Sequence, residues 1–145
     1  MDKEALMRVA KPMKKRILVV EDQDDERNLP RLALREYDVA AAGDYDTGLR
    51  MARRQYFDLY VLDNQIPGGT GIELCRRIRE FDPNTPILFC SGSADSSEAL
   101  GAGAQAYFAK QKEGFSRRRS YARRFCKAVA SHILRRGSQL GMRKT

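Results

Sequence analysis

The stretch YVLDNQIPGGTG, residues 60–71, joins a short apolar run to a carboxylate and then to a glycine-rich loop. Tyr60, Val61 and Leu62 suit a strand that is buried on both faces, and Asp63 follows them directly. A carboxylate at the end of a buried strand is unfavourable unless a cation, hydrogen-bond donors or solvent stabilise its charge. Asp63 is therefore the first candidate for a functional residue.

Apolar runs of this kind recur along the chain and alternate with segments of helical spacing. The predicted strands lie at 16–20, 37–42, 58–62, 86–90 and 105–109. The predicted helices lie near 25–36, 46–55, 70–80, 94–102 and 115–136. Strands that alternate with helices in this way predict an α/β fold, with a parallel sheet, right-handed crossovers and helices on both faces.

Polar side chains follow four of the five predicted strands. In open parallel sheets, ligands bind beyond the carboxyl ends of the strands, so these side chains are expected to converge. They are Glu21, Asp22, Asp63, Ser91 and Lys110. Clustered carboxylates repel one another unless a cation joins them, and Mg²⁺ prefers hard oxygen ligands of this type. A carboxylate beside such an ion can attack phosphorus, while an amine and a hydroxyl neutralise the phosphoryl oxygens.

Four segments together resemble the receiver domain of bacterial two-component response regulators. They are ILVVEDQDDER (17–27), YVLDNQIPGGTGIELCRRIR (60–79), PILFCSGS (86–93) and AYFAK (106–110). The resemblance covers roughly residues 16–136. It implies a flavodoxin-like, doubly wound, five-stranded parallel sheet in the order 2-1-3-4-5.

The resemblance also implies a role for each strand-end residue. Asp63 would accept a phosphoryl group from the phosphohistidine of a histidine kinase or phosphotransfer protein. The Mg²⁺ ligands would be Glu21, Asp22, Asp63 and the main-chain carbonyl of Gln65. The groups that contact the phosphoryl oxygens would be Ser91 and Lys110.

We expect three residues to regulate this site: Tyr107, Gln65 and Ser93. Tyr107 matches the aromatic residue that changes orientation when Ser91 moves toward the phosphoryl group. Gln65 and Ser93 lie where side chains can admit or block the hydrolytic water, so we expect them to set the phosphoryl lifetime.

The sequence departs from the family pattern at several places. Gln111 follows Lys110 where the family usually has proline, and Pro30 falls inside the first predicted helix. The spacing from Ser91 to Lys110 is about one helical turn shorter than usual, so we expect a short helix near 94–102.

The charge distribution divides the chain into an acidic body with basic ends. Residues 17–109 hold nine Lys or Arg against sixteen Asp or Glu, a net charge of −7. Residues 110–145 hold twelve against one. We predict a basic N-terminal extension at 1–15, the receiver domain at 16–136 and a basic tail at 137–145. Since little chain follows the last predicted helix, we expect a stand-alone receiver without an output domain.

The cysteine, histidine and hydropathy patterns exclude other classes of protein. No apolar segment is long enough to span a bilayer, and no signal peptide precedes the fold, so we expect a cytoplasmic protein. Cys75, Cys90 and Cys126 have no zinc-ligand spacing with His132, and they read as unpaired thiols without catalytic chemistry.

The sequence therefore favours a phosphorylation-switched response regulator that is not an enzyme in the ordinary sense. It would act by contact with a downstream protein target or as a phosphoryl relay. Two alternatives stay open: a receiver-like adaptor that no longer switches, and binding of nucleic acid through the arginine-rich last helix. No recognised nucleic-acid reading motif supports the latter.

Overall fold

The computed structural model describes residues 14–22, 34–91, 96–109 and 123–133. In chain order the elements are β1 (Arg16–Val20), β2 (Asp38–Ala42), α1 (Tyr45–Arg54), β3 (Leu59–Leu62), β4 (Gln65–Ile66), β5 (Gly69–Thr70), α2 (Gly71–Phe81), β6 (Ile87–Ser91), α3 (Ser96–Gly101), β7 (Ala106–Ala109) and α4 (123–133). Within these ranges, no helix is long and apolar enough to cross a membrane.

Five of the strands form one sheet in the order β2-β1-β3-β6-β7. Every pairing in this sheet is parallel. The order corresponds to the predicted 2-1-3-4-5 arrangement, so the predicted flavodoxin-like topology is confirmed. Strands β4 and β5 form a separate antiparallel ribbon within the glycine-rich loop, where the sequence predicts no strand.

Alternate residues of the central strands face two separate hydrophobic cores. The first core contains side chains of the central strands and of α1, α2 and α3, such as Leu18, Tyr60, Phe89, Ala52 and Leu74. The second core joins the opposite face of the sheet to α4. Helices therefore cover both faces of the sheet, which is the doubly wound arrangement.

Helix α4 contributes a continuous apolar stripe to the second core. Its residues Phe125, Val129 and Ile133 are buried and recur every four residues, which is the spacing of a core-facing stripe on a helix. The Phe125 ring lies edge-on to that of Phe108 in β7, with 5.9 Å between ring centroids. Tyr121, four residues before Phe125 in the sequence, lies outside the described residues.

Polar side chains cap the starts of α1 and α2. Asp44 accepts hydrogen bonds from the Thr47 amide at 2.7 Å and from the Thr47 hydroxyl at 3.0 Å. The Thr70 hydroxyl accepts a hydrogen bond from the Glu73 amide at 3.1 Å, which is the usual contact of an N-cap residue. These caps fix where each helix begins after its strand.

The Arg79 guanidinium joins the end of α2 to two surrounding loops. It donates to the main-chain carbonyl oxygens of Gly103, Asp82 and Thr85, at 2.7–2.9 Å. It also donates to the Gln105 side-chain oxygen at 2.7 Å, and that oxygen accepts a further bond from the Ile87 amide. The side chain thereby ties α2 to the segments that lead into β6 and β7.

Some predicted features lie outside the described residues. Of the helix predicted near 25–36, only 34–36 are described, and they form a turn. Pro30 and Gln111 also lie outside the described residues. Helix α3 is short, with six residues, as the reduced spacing between Ser91 and Lys110 predicts.

The three cysteines carry thiols that are not joined in disulfides, as predicted. Cys75 is buried in the first core and Cys90 in the second, while Cys126 is partly exposed on α4. Desolvation by burial raises the pKa of the Cys75 thiol. His132 lies on α4 with its Nδ1 atom 2.6 Å from the Ala128 carbonyl oxygen, a contact within one helical turn.

Candidate functional site

The register of β1 and β3 places two buried carboxylates on neighbouring strands. Val20 pairs with Leu62, and the residues that follow them are Glu21 and Asp63. The Asp63 amide donates to the Val20 carbonyl oxygen at 3.1 Å, which extends the parallel ladder past the strand ends. Glu21 is 5% exposed and Asp63 is 9% exposed. The two predicted acids therefore occupy adjacent positions at the carboxyl edge of the sheet.

Ser91 reaches the same edge from β6. Leu62 pairs with Phe89, so Ser91 lies at the end of the strand next to the one that carries Asp63. Ser91 is 1% exposed. The hydroxyl of Tyr107 donates to the Ser91 main-chain carbonyl oxygen at 2.7 Å. Since this bond joins the two residues predicted to switch together, Tyr107 lies within reach of the site; its reorientation stays a prediction.

Two of the predicted site residues, Lys110 and Ser93, lie outside the described residues. The residue that precedes Lys110 in the sequence is Ala109, which pairs with Ser91 at the end of β7. The topology thus brings the ends of β1, β3, β6 and β7 to one edge, as the strand-end hypothesis requires.

The start of α2 lies directly against the backbone of Asp63. A Cβ atom on Gly71 would overlap the Asp63 carbonyl oxygen and lie 2.8 Å from its carbonyl carbon. The Gly71 amide donates to the Asn64 carbonyl oxygen at 2.9 Å, and the Asn64 side-chain oxygen lies 3.4 Å from the Ile72 amide. The loop is closed at its base by these contacts, and only glycine fits at position 71.

The ribbon β4–β5 projects from this base and carries the predicted ligand Gln65. Gln65 pairs with Thr70 and Ile66 pairs with Gly69. Gln65 is exposed, whereas Ile66 is buried in the first core. The amide of Tyr45, the first residue of α1, donates to the Pro67 carbonyl oxygen at 2.9 Å and holds the turn of the ribbon.

The acidic residues at this edge fit magnesium by their chemistry. Their donor atoms are all oxygens, and Glu21 and Asp63 lie on adjacent strands while Asp22 is exposed beside them. In the described part of the chain, no three acidic, histidine or cysteine side chains converge closely enough to hold a metal ion by themselves. Mg²⁺ commonly keeps several waters and uses only one or two carboxylates together with a phosphate group. The arrangement is compatible with that mode of binding.

Two residues that shape this site are not among the predicted site residues. The main-chain carbonyl oxygen of Asn64 accepts a hydrogen bond from the Gly71 amide and so closes the loop. Its place between a strand end and a glycine-rich turn is a local signal, because asparagine favours such turns. Tyr45 lies 22 residues from Pro67, and no local pattern indicates that contact.

Comparison with known proteins identifies relatives of this chain in sequence and in structure. The sequence model of the response regulator receiver domain matches residues 17–115. The transcriptional regulatory protein AfsQ1 of Streptomyces coelicolor is 35% identical over 127 residues, which cover 85% of this chain and 52% of that protein. The response regulator ArlR of Staphylococcus aureus is 36% identical over 102 residues, covering 65% of this chain and 45% of that protein. The chain spans about half the length of these curated relatives.

Solved structures share the fold. A CheY-like receiver domain protein from Methanospirillum hungatei superimposes with a TM-score of 0.77 at 23% identity, covering 87% of this chain and 98% of that one. A Burkholderia pseudomallei response regulator, solved with a phosphorylated aspartic acid and a calcium ion, gives a TM-score of 0.68 at 20% identity over 90% of this chain and 73% of that one. Together with the family match, the buried strand-end acids and the sheet order lead to one conclusion: the chain belongs to the response regulator receiver domain family.

Proposed function

We propose that this protein is a phosphoacceptor of a two-component system, with Asp63 as the residue that is phosphorylated. The observation that carries the proposal is the register that sets the buried Asp63 beside the buried Glu21 and one strand away from the buried Ser91. Receiver domains are phosphoacceptor signalling domains, and a histidine kinase is the partner that such a domain implies.

The proposed step transfers a phosphoryl group to the Asp63 carboxylate. A carboxylate oxygen attacks the phosphorus atom of a phosphohistidine, the new P–O bond forms as the P–N bond breaks, and the imidazole leaves with the electron pair. In the transition state, the negative charge on the non-bridging oxygens of the phosphoryl group must be neutralised. Ser91 would donate a hydrogen bond to them, and Lys110 would supply a positive charge.

A bound Mg²⁺ would screen the negative charges of the carboxylates and of the incoming phosphoryl group. The residues to hold it are Glu21 and Asp22, directly or through water, together with Asp63 and the main-chain carbonyl of Gln65. Asp63 is then oriented by its backbone contacts with Val20 and Gly71. We further propose that the phosphorylated state acts by binding a downstream protein or by passing the group on.

Intact mass spectrometry after incubation with acetyl phosphate tests this function. We expect a single phosphoryl adduct on the wild-type protein when Mg²⁺ is present, and none when Mg²⁺ is removed by a chelator. Asp63→Asn should give no adduct, whereas Asp58→Asn, which alters a buried acid at the opposite edge of the sheet, should still be phosphorylated.

An adduct that persists in Asp63→Asn would assign the phosphoacceptor elsewhere. If neither acetyl phosphate nor a panel of purified histidine kinases yields an adduct, the protein is a receiver-like adaptor that does not switch. The same fold would then bind its partner irrespective of phosphorylation.

A second candidate function, binding of nucleic-acid phosphates, is favoured by the exposed face of α4. Arg123, Arg124 and Lys127 are exposed there, and residues 123–133 contain no acidic residue. Fluorescence anisotropy with a labelled DNA duplex should show affinity that falls steeply as salt rises, because phosphate contacts release counterions. Reversal of two charges, Arg123→Glu with Lys127→Glu, should reduce that affinity. Absence of binding at low salt would remove this candidate.

A further inference from the structure

We propose that Tyr45 is a positioning residue for the phosphorylation site, because it holds the ribbon β4–β5 and thereby the Gln65 main chain. This inference rests on the proposed function, since it concerns the residue whose carbonyl would complete the Mg²⁺ site. Tyr45 belongs to α1, outside the loop and outside the set of strand-end residues.

The contacts of Tyr45 with the ribbon involve both its backbone and its ring. Its amide donates to the Pro67 carbonyl oxygen at 2.9 Å. A Cβ atom on Gly69 would lie 2.7 Å from ring atom Cδ2 and 3.0 Å from Cγ, so the Gly69 backbone rests directly on the ring. A Cβ atom on Gly68 would lie 3.6 Å from the Tyr45 Cβ. The turn of the ribbon, residues 67–69, is therefore in contact with this one residue along its whole length.

Tyr45 is itself firmly placed. It is the first residue of α1, and the preceding Asp44 caps the helix through both hydrogen bonds from Thr47. The hydrogen bond from the Thr47 amide, and to a smaller extent the one from its hydroxyl, lowers the pKa of Asp44 because both stabilise the charged carboxylate. The Tyr45 side chain also packs against the first hydrophobic core. A fixed helix end thus presents the ring to the ribbon.

The ribbon needs such support because its own pairing is minimal. Each strand has two residues, and a two-stranded ribbon of this length is not stable alone in water. Its base is held by the bond between Gly71 and Asn64, and its turn is held by Tyr45. Gln65 lies between these two supports, two residues after Asp63. Loss of the ring would leave the turn of the ribbon held to α1 only by the bond from the Tyr45 amide to the Pro67 carbonyl oxygen.

The test compares Tyr45→Ala, Tyr45→Phe and the control Tyr56→Ala, which removes an exposed tyrosine that follows α1. Two quantities are measured without any phosphodonor: amide hydrogen exchange at residues 65–70, and the Mg²⁺ dissociation constant from an NMR titration. For Tyr45→Ala we expect faster exchange in the ribbon, unchanged exchange at 17–20, and Mg²⁺ affinity weaker by about tenfold. Tyr45→Phe keeps the ring and should match the wild type.

Gly69→Ala provides a second route to the same displacement with Tyr45 in place. The added methyl group meets the ring, so the ribbon should shift and its exchange should accelerate. In the double variant Tyr45→Ala with Gly69→Ala this clash is absent, and the two effects should not add.

Ribbon exchange in Tyr45→Ala equal to that of the wild type would overturn the proposal. A loss equally large in Tyr45→Phe would do so as well, since it would assign the effect to the hydroxyl. Unchanged Mg²⁺ affinity in a variant with a loosened ribbon would likewise refute a positioning role. Failure of the wild type to be phosphorylated would count against the proposed function alone, because the exchange comparison uses no phosphodonor.

Discussion

Gly71 shows how a single missing side chain sets the position of the candidate phosphoacceptor. The first turn of α2 approaches the Asp63 backbone so closely that a Cβ atom would overlap its carbonyl oxygen. The obstructing atoms belong to the backbone, and they cannot rotate away as the end of a flexible side chain can. Either α2 or the end of β3 would have to move to accommodate any other residue.

Gly71→Ala is therefore expected to lower the free energy of unfolding by about 1–3 kcal/mol through overpacking. It should also slow phosphorylation of Asp63, because the end of β3 moves. Urea unfolding followed by circular dichroism measures the first effect. The matched control is Gly101→Ala, where a Cβ atom meets nothing within 4 Å and stability should be unchanged or higher by up to about 1 kcal/mol. Equal destabilisation of both variants would contradict the explanation.

Asp82 links protonation to stability. Burial raises the pKa of its carboxyl, but hydrogen bonds from Thr85, from the Asn84 amide and from the Tyr60 hydroxyl outweigh burial, so the pKa lies below its ordinary value of 3.8. A depressed folded-state pKa contributes stability above the unfolded value, and this contribution is lost as pH falls through the folded value.

The free energy of unfolding of the wild type should thus exceed that of Asp82→Asn at neutral pH. The difference should begin to narrow as the pH falls below the ordinary pKa, where the carboxyl of the unfolded chain takes up a proton, and should disappear as the pH falls through the lower folded-state pKa. Urea titrations of both proteins across the acidic range provide the measurement. A difference that stays constant over that range would show that charge plays no part.

At the scale of elements, Arg79 makes α2 the link between two strands of the sheet. Its guanidinium bonds reach the loops that precede β6 and β7, which lie 3 to 26 residues away in sequence. The planar group is partly buried, and burial lowers the pKa of the Arg79 guanidinium. The directional fork of arginine can serve several carbonyl oxygens at once, whereas the single ammonium group of lysine cannot.

We expect Arg79→Lys to lower the free energy of unfolding by about 1–3 kcal/mol, since it leaves partly buried carbonyl oxygens without their donor. Arg76→Lys changes an exposed arginine of the same helix and should alter stability by less than about 0.5 kcal/mol. The thermal unfolding midpoints of the wild type, Arg79→Lys and Arg76→Lys, measured in parallel, test this prediction. Indistinguishable midpoints would mean that the guanidinium contacts contribute nothing to stability.

At the scale of the whole molecule, the sheet separates two hydrophobic cores that are covered by different numbers of helices. The first lies under three helices, whereas α4 is the one helix on the other face within the described part of the chain. The stability of that face depends strongly on the three buried side chains of α4, among which Phe125 is the largest.

Phe125→Ala should consequently lower the free energy of unfolding by about 3–5 kcal/mol, a large part of the total of a small domain. Lys127→Ala, on the exposed side of the same helix, should change it by less than about 0.5 kcal/mol. Urea unfolding measures both changes in free energy, from the shift of the midpoint when the denaturant slope m is the same in all proteins. A small effect of Phe125→Ala would indicate that α4 does not hold the second core.

Much of this architecture is readable from the sequence because local patterns encode it. Buried parallel strands appear as short apolar runs, and the five predicted runs agree with the observed strands within one or two residues. A strand end needs only its neighbouring sequence to be located, so Glu21, Asp63 and Ser91 were all expected at the edge where they lie. The strand order came from family resemblance and from no local pattern.

The remaining features depend on contacts between residues far apart in sequence. The ribbon β4–β5 has strands too short to show a period of two. The support that Tyr45 gives this ribbon, and the bonds of Arg79 to Gly103 and Gln105, exist only once separate elements have packed together. The secondary-structure propensity of a segment and the spacing of its apolar residues do not indicate such contacts.

The placement of the free thiols equips the molecule with its own chemical reporters. Cys75 lies on one side of the sheet and Cys90 on the other, so each can react with an alkylating reagent only after its own layer opens. The partly exposed Cys126 supplies an internal reference for reagent activity. Because thiolate is the reactive form, the raised pKa of Cys75 further suppresses labelling of the closed state. Rates of alkylation at the two buried positions would therefore time the opening of each layer separately, without any engineered label.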